Sequence, residues 1–111
     1  MRNMSFSLTT KQFDNKWKTV TRRLGWKALK RGQVVMGVVK GMGLKKGEKV
    51  QRLHCFEVKS VRRERLDKIT KEDVWREGFP GMTPANFVRM FCSHNGCKPS
   101  TKVTRIEFIH L

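Results

Sequence analysis

The segment WKTVTRRLGW, residues 17–26, contains side chains that could carry out a reaction or bind phosphate. Lys18 and Thr21 could act as base and nucleophile, because an amine with a lowered pKa can accept a hydroxyl proton. They are three residues apart, and an ideal strand points such residues to opposite faces. A bulge or a strand end would have to bring them together. The alternative is that these are ordinary strand residues.

Arg22 and Arg23 follow directly and, with Lys18, are the best candidates for phosphate contacts. A guanidinium group binds phosphate through paired hydrogen bonds, which an ammonium group cannot make. Neighbouring strand residues alternate between faces, so one of the two arginines is expected to face solvent. The alternative is a solvated charge run. Further candidates for non-specific contacts to a nucleic-acid backbone are Lys40, Lys45, Lys46, Lys49, Arg62, Arg63 and Arg65.

Three tryptophans are candidates either for base stacking or for the core. Trp17 and Trp26 flank the basic segment and could stack a nucleobase, as aromatic side chains do in proteins that bind single strands. Burial in the core is the alternative, and the sequence leaves both open. Trp75 follows Val74 in a helical pattern, and we expect it in the core.

The segment CSHNGC offers Cys92, His94 and Cys97 as metal ligands, and His54 and Cys55 could add to them. Their spacing matches no familiar zinc finger. The end of a helix capped by glycine explains the segment without a metal, so we predict no metal and no other cofactor. The three cysteines cannot all pair with one another, and a reducing compartment would keep them as thiols.

The composition indicates a basic globular protein. The chain has 111 residues, which fits a single domain over 1–111, and 38% of them are hydrophobic. Its 25 Lys and Arg against 9 Asp and Glu give a formal charge of +16, which favours a polyanionic partner such as nucleic acid. The sequence shows neither a run of roughly 20 apolar residues nor a signal peptide, so we expect a cytoplasmic protein without membrane contact.

Hydrophobic periodicity predicts strands at both ends of the chain and two helices before the last strand. Helix signals start at Thr70 and Thr83 and stop at Gly78 and Gly96. The order is a strand at 4–8, a short helix or turn at 9–16, extended segments at 18–23, 34–39 and 50–66, helices at 70–78 and 83–96, and a strand at 102–111. The strand at 34–39 is expected to end near Gly41, before a lysine-rich loop. This order predicts an α+β fold, with a small curled sheet or barrel and helices packed at one side.

Several segments together resemble the ASCH domain family. They are WKTVTRR after a short helix, GQVVMGV, a long strand ending in VRRERL, and REGFPGMTPANFVRMF before TRIEFIHL. The most specific are the K-T-x-T-x-R core over residues 18–23 and E-G-F over residues 77–79. The resemblance implies a fold related to the PUA RNA-binding barrel over nearly the whole chain.

The resemblance also implies three kinds of function. Most members are inferred to bind RNA, some resemble ribonucleases, and a small bacterial branch removes the acetyl group from acetylated cytidine. In that branch a lysine, a threonine and a glutamate carry out the reaction. The resemblance matches them to Lys18, Thr21 and Glu77 of this sequence. Glu77 would orient the amine or protonate the leaving group. This chain is more basic than that branch and carries a GFPGMTP loop after the glutamate, which leaves an RNA-sized ligand open.

The sequence therefore supports three hypotheses, in order. The first is a basic cleft that binds RNA or a nucleotide, because charge and resemblance agree on it. The second is an amidohydrolase that acts on acylated cytidine through Lys18, Thr21 and Glu77. The third is a ribonuclease that needs no metal. Protein partners are not predicted.

Overall fold

The structure, a computed structural model, describes residues 1–40 and 46–111. In these ranges it contains five strands, three α-helices and one 3-10 turn. The elements are β1 Asn3–Ser5, α1 Thr10–Asp14, β2 Val20–Arg23, β3 Val34–Val38, β4 Arg52–Arg65, the turn Leu66–Lys68, α2 Lys71–Arg76, α3 Pro84–Asn95 and β5 Lys102–His110. The predicted strand end near Gly41 and the predicted phosphate contact Lys45 lie outside the described residues. None of the helices described is long and apolar enough to cross a membrane.

The strands form one mixed sheet in the order β1-β3-β4-β5-β2. β1 pairs with β3 in parallel, and the other neighbours are antiparallel. This confirms the predicted α+β class. The predicted barrel is not confirmed, because β1 and β2 remain the two edges and do not pair within the described ranges. Closure would require β1 and β2 to pair with the stagger that a barrel imposes, and these strands have only three and four residues.

The two helices before the last strand begin and end as the sequence predicts. The hydroxyl of Thr70 accepts a hydrogen bond from the backbone N–H of Asp73, and Thr83 caps α3 in the same way, each at 3.1 Å. These bonds satisfy N–H groups that a helix start leaves free. At the other end of α3, Gly96 adopts a left-handed conformation with φ of 64°, which glycine reaches without strain.

Two hydrophobic clusters support the sheet. The first is aromatic, with Phe6 and Phe13 stacked at 4.1 Å between ring centroids. Gly37 allows this packing, because a Cβ atom there would lie 2.4 Å from the Phe13 ring. The first cluster comprises Met4, Phe6, Phe13, Leu29, Val35, Phe56, Val58, Ile106 and Phe108. The second comprises Leu66, Ile69, Val74, Phe87, Val88, Phe91 and Val103, and four of these residues belong to α2 and α3.

The structure contradicts the prediction for one tryptophan and places the two that the sequence leaves open. Trp75 was expected in the core, but 61% of it is exposed. The six-residue helix α2 buries one face, which is occupied by Asp73 and Val74, and this leaves Trp75 outside. Trp26 packs partly buried against the first cluster, with the guanidinium of Arg2 3.9 Å from its ring centroid. Trp17 is 65% exposed.

Candidate functional site

A cleft of about 110 Å³ lies between the end of β1 and strand β2, and α3 borders it. Residues of both edge strands of the sheet therefore line the cleft. A cavity of about 150 Å³ holds benzene, so this cleft is on the order of one six-membered ring. The polar lining side chains include Lys18, Thr21, Arg22, Arg23 and Glu77. The apolar lining side chains include Phe79, Phe87, Met90 and Phe91.

Lys18 and Glu77 form a buried ion pair at this cleft. Lys18 Nζ donates to Glu77 Oε1 at 2.6 Å and to the Glu77 backbone carbonyl at 2.8 Å. Lys18 lies two residues before β2 begins, so strand alternation does not direct its side chain. The backbone N–H of Thr19 donates to the carbonyl of Arg76, which joins the two segments. Burial lowers the pKa of Lys18, and the carboxylate of Glu77 opposes this shift only in part.

Thr21 lines the same cleft from within β2, where it pairs with Ile106 of β5. Its hydroxyl accepts a hydrogen bond from Arg23 Nε at 3.2 Å. Among the described residues, no hydrogen bond joins Lys18 Nζ to Thr21 Oγ1. Lys18, Thr21 and Glu77 thus share one cleft, with the lysine bonded to the glutamate and not to the threonine.

Arg22 is the centre of a buried charge network and faces away from solvent. It is 3% exposed, and it donates to Glu77 Oε2 at 3.1 Å and to Asp73 Oδ2 at 2.5 Å. Arg105 binds both oxygens of the Asp73 carboxylate, at 2.7 and 3.0 Å. Arg22 is therefore the buried one of the two adjacent arginines, because two carboxylates of the α2 region bind its guanidinium. Arg22 Nε has no hydrogen-bond partner in the described residues.

Arg23 is half-buried, with its guanidinium 4.9 Å from the centroid of the Phe6 ring. Burial lowers its pKa to about 10, so the side chain stays cationic at neutral pH. No salt bridge to Arg23 is formed within residues 1–40 and 46–111. Of the cations at the cleft, Arg23 is therefore the one most able to bind an anion.

The other predicted contacts lie away from the cleft. Arg62 is exposed and pairs with Glu64 at 3.2 Å. Arg63 donates to the Thr104 hydroxyl at 2.8 Å and to the backbone carbonyls of residues 24 and 102. Trp17 and Trp26 do not line the cleft either. The structure thus separates the predicted residues into a cleft group and a surface group.

His54, which the sequence offers only as a possible metal ligand, forms a pair with His110 that the sequence does not predict. His54 Nε2 lies 2.7 Å from His110 Nδ1, and His110 Nε2 lies 2.6 Å from the carbonyl oxygen of Lys18. A carbonyl only accepts, so His110 Nε2 carries hydrogen and donates to Lys18. In the neutral pair, His54 Nε2–H then donates to His110 Nδ1. The sequence gives no signal for this pair, because its members are 56 residues apart.

The residues considered as zinc ligands do not converge. In the described ranges, no three His, Cys, Asp or Glu side chains are placed to hold a metal ion. Cys92 and Cys97 lie near each other, with 3.6 Å between their sulfur atoms. Cys55 lies elsewhere, on β4, where its Sγ is 3.7 Å from the Sδ of Met1.

Comparison with known proteins identifies the fold. No family model and no curated protein sequence matches this chain. Its structure is similar to that of the ASCH domain from Lactobacillus crispatus JV V101, with a TM-score of 0.61, 15% identity, and coverage of 98% of this chain and 78% of that one. A protein from Enterococcus faecalis V583 described as family model DUF984 gives the same TM-score and identity, over 91% of this chain and 68% of that one. The predicted ASCH fold is thus confirmed.

Proposed function

We propose that the cleft binds one nucleobase of a nucleotide or an RNA strand, with a pyrimidine as the base that fits. The observation that carries this proposal is a cleft on the order of one ring in size that combines hydrogen-bonding and aromatic side chains. Proteins bind unstacked bases by placing aromatic side chains on their faces and polar groups at their edges. Lys18, Thr21 and Glu77 supply the polar groups, and Phe79 supplies a partly exposed ring.

The charge of the protein supports a polyanionic form of this ligand. A formal charge of +16 attracts phosphates over distances of several ångströms and raises the rate of association. Lys18 and Arg22 are already paired with carboxylates, so they do not act as free phosphate contacts. Arg23 at the cleft and exposed side chains such as Arg62 remain for that role.

The test is to obstruct the cleft without altering the core. Ser7 is exposed and lines the cleft, so Ser7→Phe places a ring at its entrance. Ser100 is exposed and does not line the cleft, and Ser100→Phe is the matched control. We expect Ser7→Phe to weaken binding of cytidine monophosphate and oligocytidylate at least tenfold in calorimetric titrations, with the control unchanged. Equal affinities for the two variants would contradict the proposal.

A second candidate is hydrolysis of an acyl amide on the exocyclic amine of the bound base. The buried Lys18–Glu77 pair beside the Thr21 hydroxyl favours it. Burial favours the neutral amine of Lys18, which could accept the Thr21 proton as the oxygen attacks the acyl carbon. The C–N bond breaks, and the nitrogen leaves with a proton from Lys18. Water then hydrolyses the acyl-threonine and regenerates the hydroxyl.

Acetylated cytidine, incubated with the protein and followed by chromatography, separates binding from hydrolysis. Thr21→Ala removes the attacking oxygen, whereas Thr21→Ser retains it. If the protein is a hydrolase, Thr21→Ala should lose roughly 1,000-fold or more in turnover and keep its affinity, with partial activity in Thr21→Ser. Intact substrate with all three proteins would leave base binding as the function. Shortened RNA in the presence of a chelator would indicate the ribonuclease instead.

A further inference from the structure

The end of α3 holds two thiols in van der Waals contact. Gly96 turns the chain back on itself, and the N–H groups of Gly96 and Cys97 both approach the carbonyl of Cys92, at 2.8 and 3.3 Å. This turn places Cys97 Sγ 3.6 Å from Cys92 Sγ. Cys97 acts as the donor and Cys92 as the acceptor of that contact. The pairing therefore follows from how the helix ends and not from five-residue spacing alone.

The surroundings of the two sulfur atoms allow a reagent to reach them and a disulfide to form between them. Both residues are half-buried and pack against the second hydrophobic cluster. A disulfide needs about 2.05 Å between sulfurs, so side-chain rotation must bring the two atoms closer together. Two reduced thiols in contact can be oxidised to a disulfide when they do not hold a metal ion. In the part of the chain described, no third ligand completes a metal site with them.

We propose that Cys92 and Cys97 are a site of reversible oxidation, which a small-molecule disulfide converts to an intramolecular disulfide. The Cys92 thiolate attacks one sulfur of the reagent, whose S–S bond breaks and releases one thiolate. Cys97 then loses its proton to solvent and attacks the Cys92 sulfur, which displaces the second thiol. The two protein thiols are oxidised, and the reagent is reduced to two thiols.

The roles of the two cysteines follow from their contact. Cys97 is the donor of the sulfur–sulfur contact, so we assign the first attack to Cys92 and the second to Cys97. Burial, followed by the hydrogen bond to Cys92, raises the pKa of Cys97. Oxidation should therefore become faster as pH is raised above neutrality, because the second step needs the Cys97 thiolate.

Oxidation at this site would affect the cleft wall. Residues Met90, Phe91, His94 and Asn95 line the cleft from the same end of α3. A bond from Cys92 to Cys97 would tie this last turn to the segment that leads into β5. The oxidation itself does not depend on what the cleft binds, so it can be tested separately from the proposed function.

The experiment uses the full chain, fully reduced, then incubated with oxidised glutathione at pH 8 and quenched with acid. Tryptic digestion places Cys92 and Cys97 together in the peptide 90–102 and Cys55 in the peptide 53–59. We expect the first peptide to lose two hydrogens without a glutathione adduct. Glutathione adducts on that peptide, or two thiols that stay free while Cys55 reacts, would overturn the proposal.

Two controls test whether the fold is responsible. Cys92→Ser and Cys97→Ser should each trap a glutathione adduct on the remaining thiol, whereas Cys55→Ser should leave closure unchanged. Closure of the wild-type chain should be at least tenfold faster in buffer than in concentrated urea, where only the spacing in sequence remains. Equal rates in the two solvents would overturn the assignment of this site to the folded structure, and this readout requires no variant to fold.

Discussion

The described part of the chain contains two groups of cations that the sequence does not distinguish, one buried and one exposed. Lys18, Arg22 and Arg105 are buried and bonded to carboxylates of the α2 region. Arg62 and its neighbours on β4 are exposed, and the pairs they form are open to water. An ion pair away from water is costly to break, because its remaining partner stays buried and unpaired, whereas an exposed pair contributes little.

This difference changes the interpretation of the basic segment at residues 17–26. Adjacent lysines and arginines are typical of a phosphate-binding surface, yet here two of them hold α2 against the sheet. The chain from Lys18 through Glu77, Arg22 and Asp73 to Arg105 is continuous in hydrogen bonds. The same chain fixes the carboxylate at the cleft. The buried group therefore shapes the site, and under the proposed function the exposed group would attract the anionic ligand.

The largest expected effect comes from breaking the buried group at Asp73. Asp73→Asn removes the negative charge that two buried guanidinium groups share. We expect the free energy of unfolding at neutral pH to fall by about 3 kcal/mol, measured in urea. The matched control is Asp67→Asn, which disrupts the exposed pair with Arg65 and should leave the urea midpoint unchanged. If the two variants behave alike, burial does not separate the groups.

The same variant should change the response to acid. Burial raises the pKa of Asp73, but hydrogen bonds from Arg105 and Arg22 outweigh it and hold the pKa well below the ordinary value of 3.8. The unfolded chain therefore takes up a proton near that value while the folded chain does not. The stabilisation that the Asp73 carboxylate provides is complete above pH 3.8. It decreases as the pH falls towards the lower pKa of Asp73 in the folded protein. Asp73→Asn should lose less stability than the wild type over that interval.

A smaller effect is expected at the histidine pair. Burial lowers the pKa of both His54 and His110, and Lys16 lowers both further; Asp14 opposes the shift at His54, and the bond to Lys18 opposes it at His110. Unfolded imidazoles then take up protons at a higher pH than folded ones. The stabilisation that the neutral pair provides should be complete above pH 6.5, the ordinary pKa of histidine. It should decrease as the pH falls through the lowered pKa values of the folded protein.

The geometry also specifies how the pair titrates. One proton can be accommodated if His110 donates through both nitrogens and His54 accepts at Nε2. A second proton places two N–H groups against each other across 2.7 Å and breaks the contact. We expect two separate steps in the NMR imidazole signals of His54 and His110, and His54→Gln should leave one step, at His110. A single unshifted titration shared by both rings would contradict the assigned hydrogen bonds.

The parts of the fold that could be predicted from the sequence depend on local interactions. The caps at Thr70, Thr83 and Gly96 act within four residues, so both helices were found with their ends. The period of two along β4 and β5 identified strands in the same way. Closure of the barrel depended on two edge strands meeting across the whole chain, and no local pattern encodes that pairing.

The candidate site shows the same limit. The family resemblance brought Lys18, Thr21 and Glu77 together as candidates, although 59 residues separate the lysine from the glutamate. The sequence gives Asp73 no role beyond its place in the helix predicted at 70–78, and it gives Arg22 only as a phosphate contact. Their hydrogen bond spans 51 residues, and the burial of both follows from the packing of α2. Trp75 was misassigned for the same reason, since a short helix does not show which face it buries.

The smallest expected effect comes from the exposed group, and it tests that group's assigned role. Arg62→Gln removes one exposed charge, and Glu64 keeps its contacts with Arg22 at 3.5 Å and with Arg105 at 3.9 Å. The urea midpoint should therefore not change. Affinity for a mixed-sequence RNA should fall less than tenfold. The slope of log affinity against log salt concentration should become shallower by about one. An unchanged slope would mean that Arg62 does not contact phosphate, and attraction would then rest on other exposed cations, since Arg22 is bound to carboxylates.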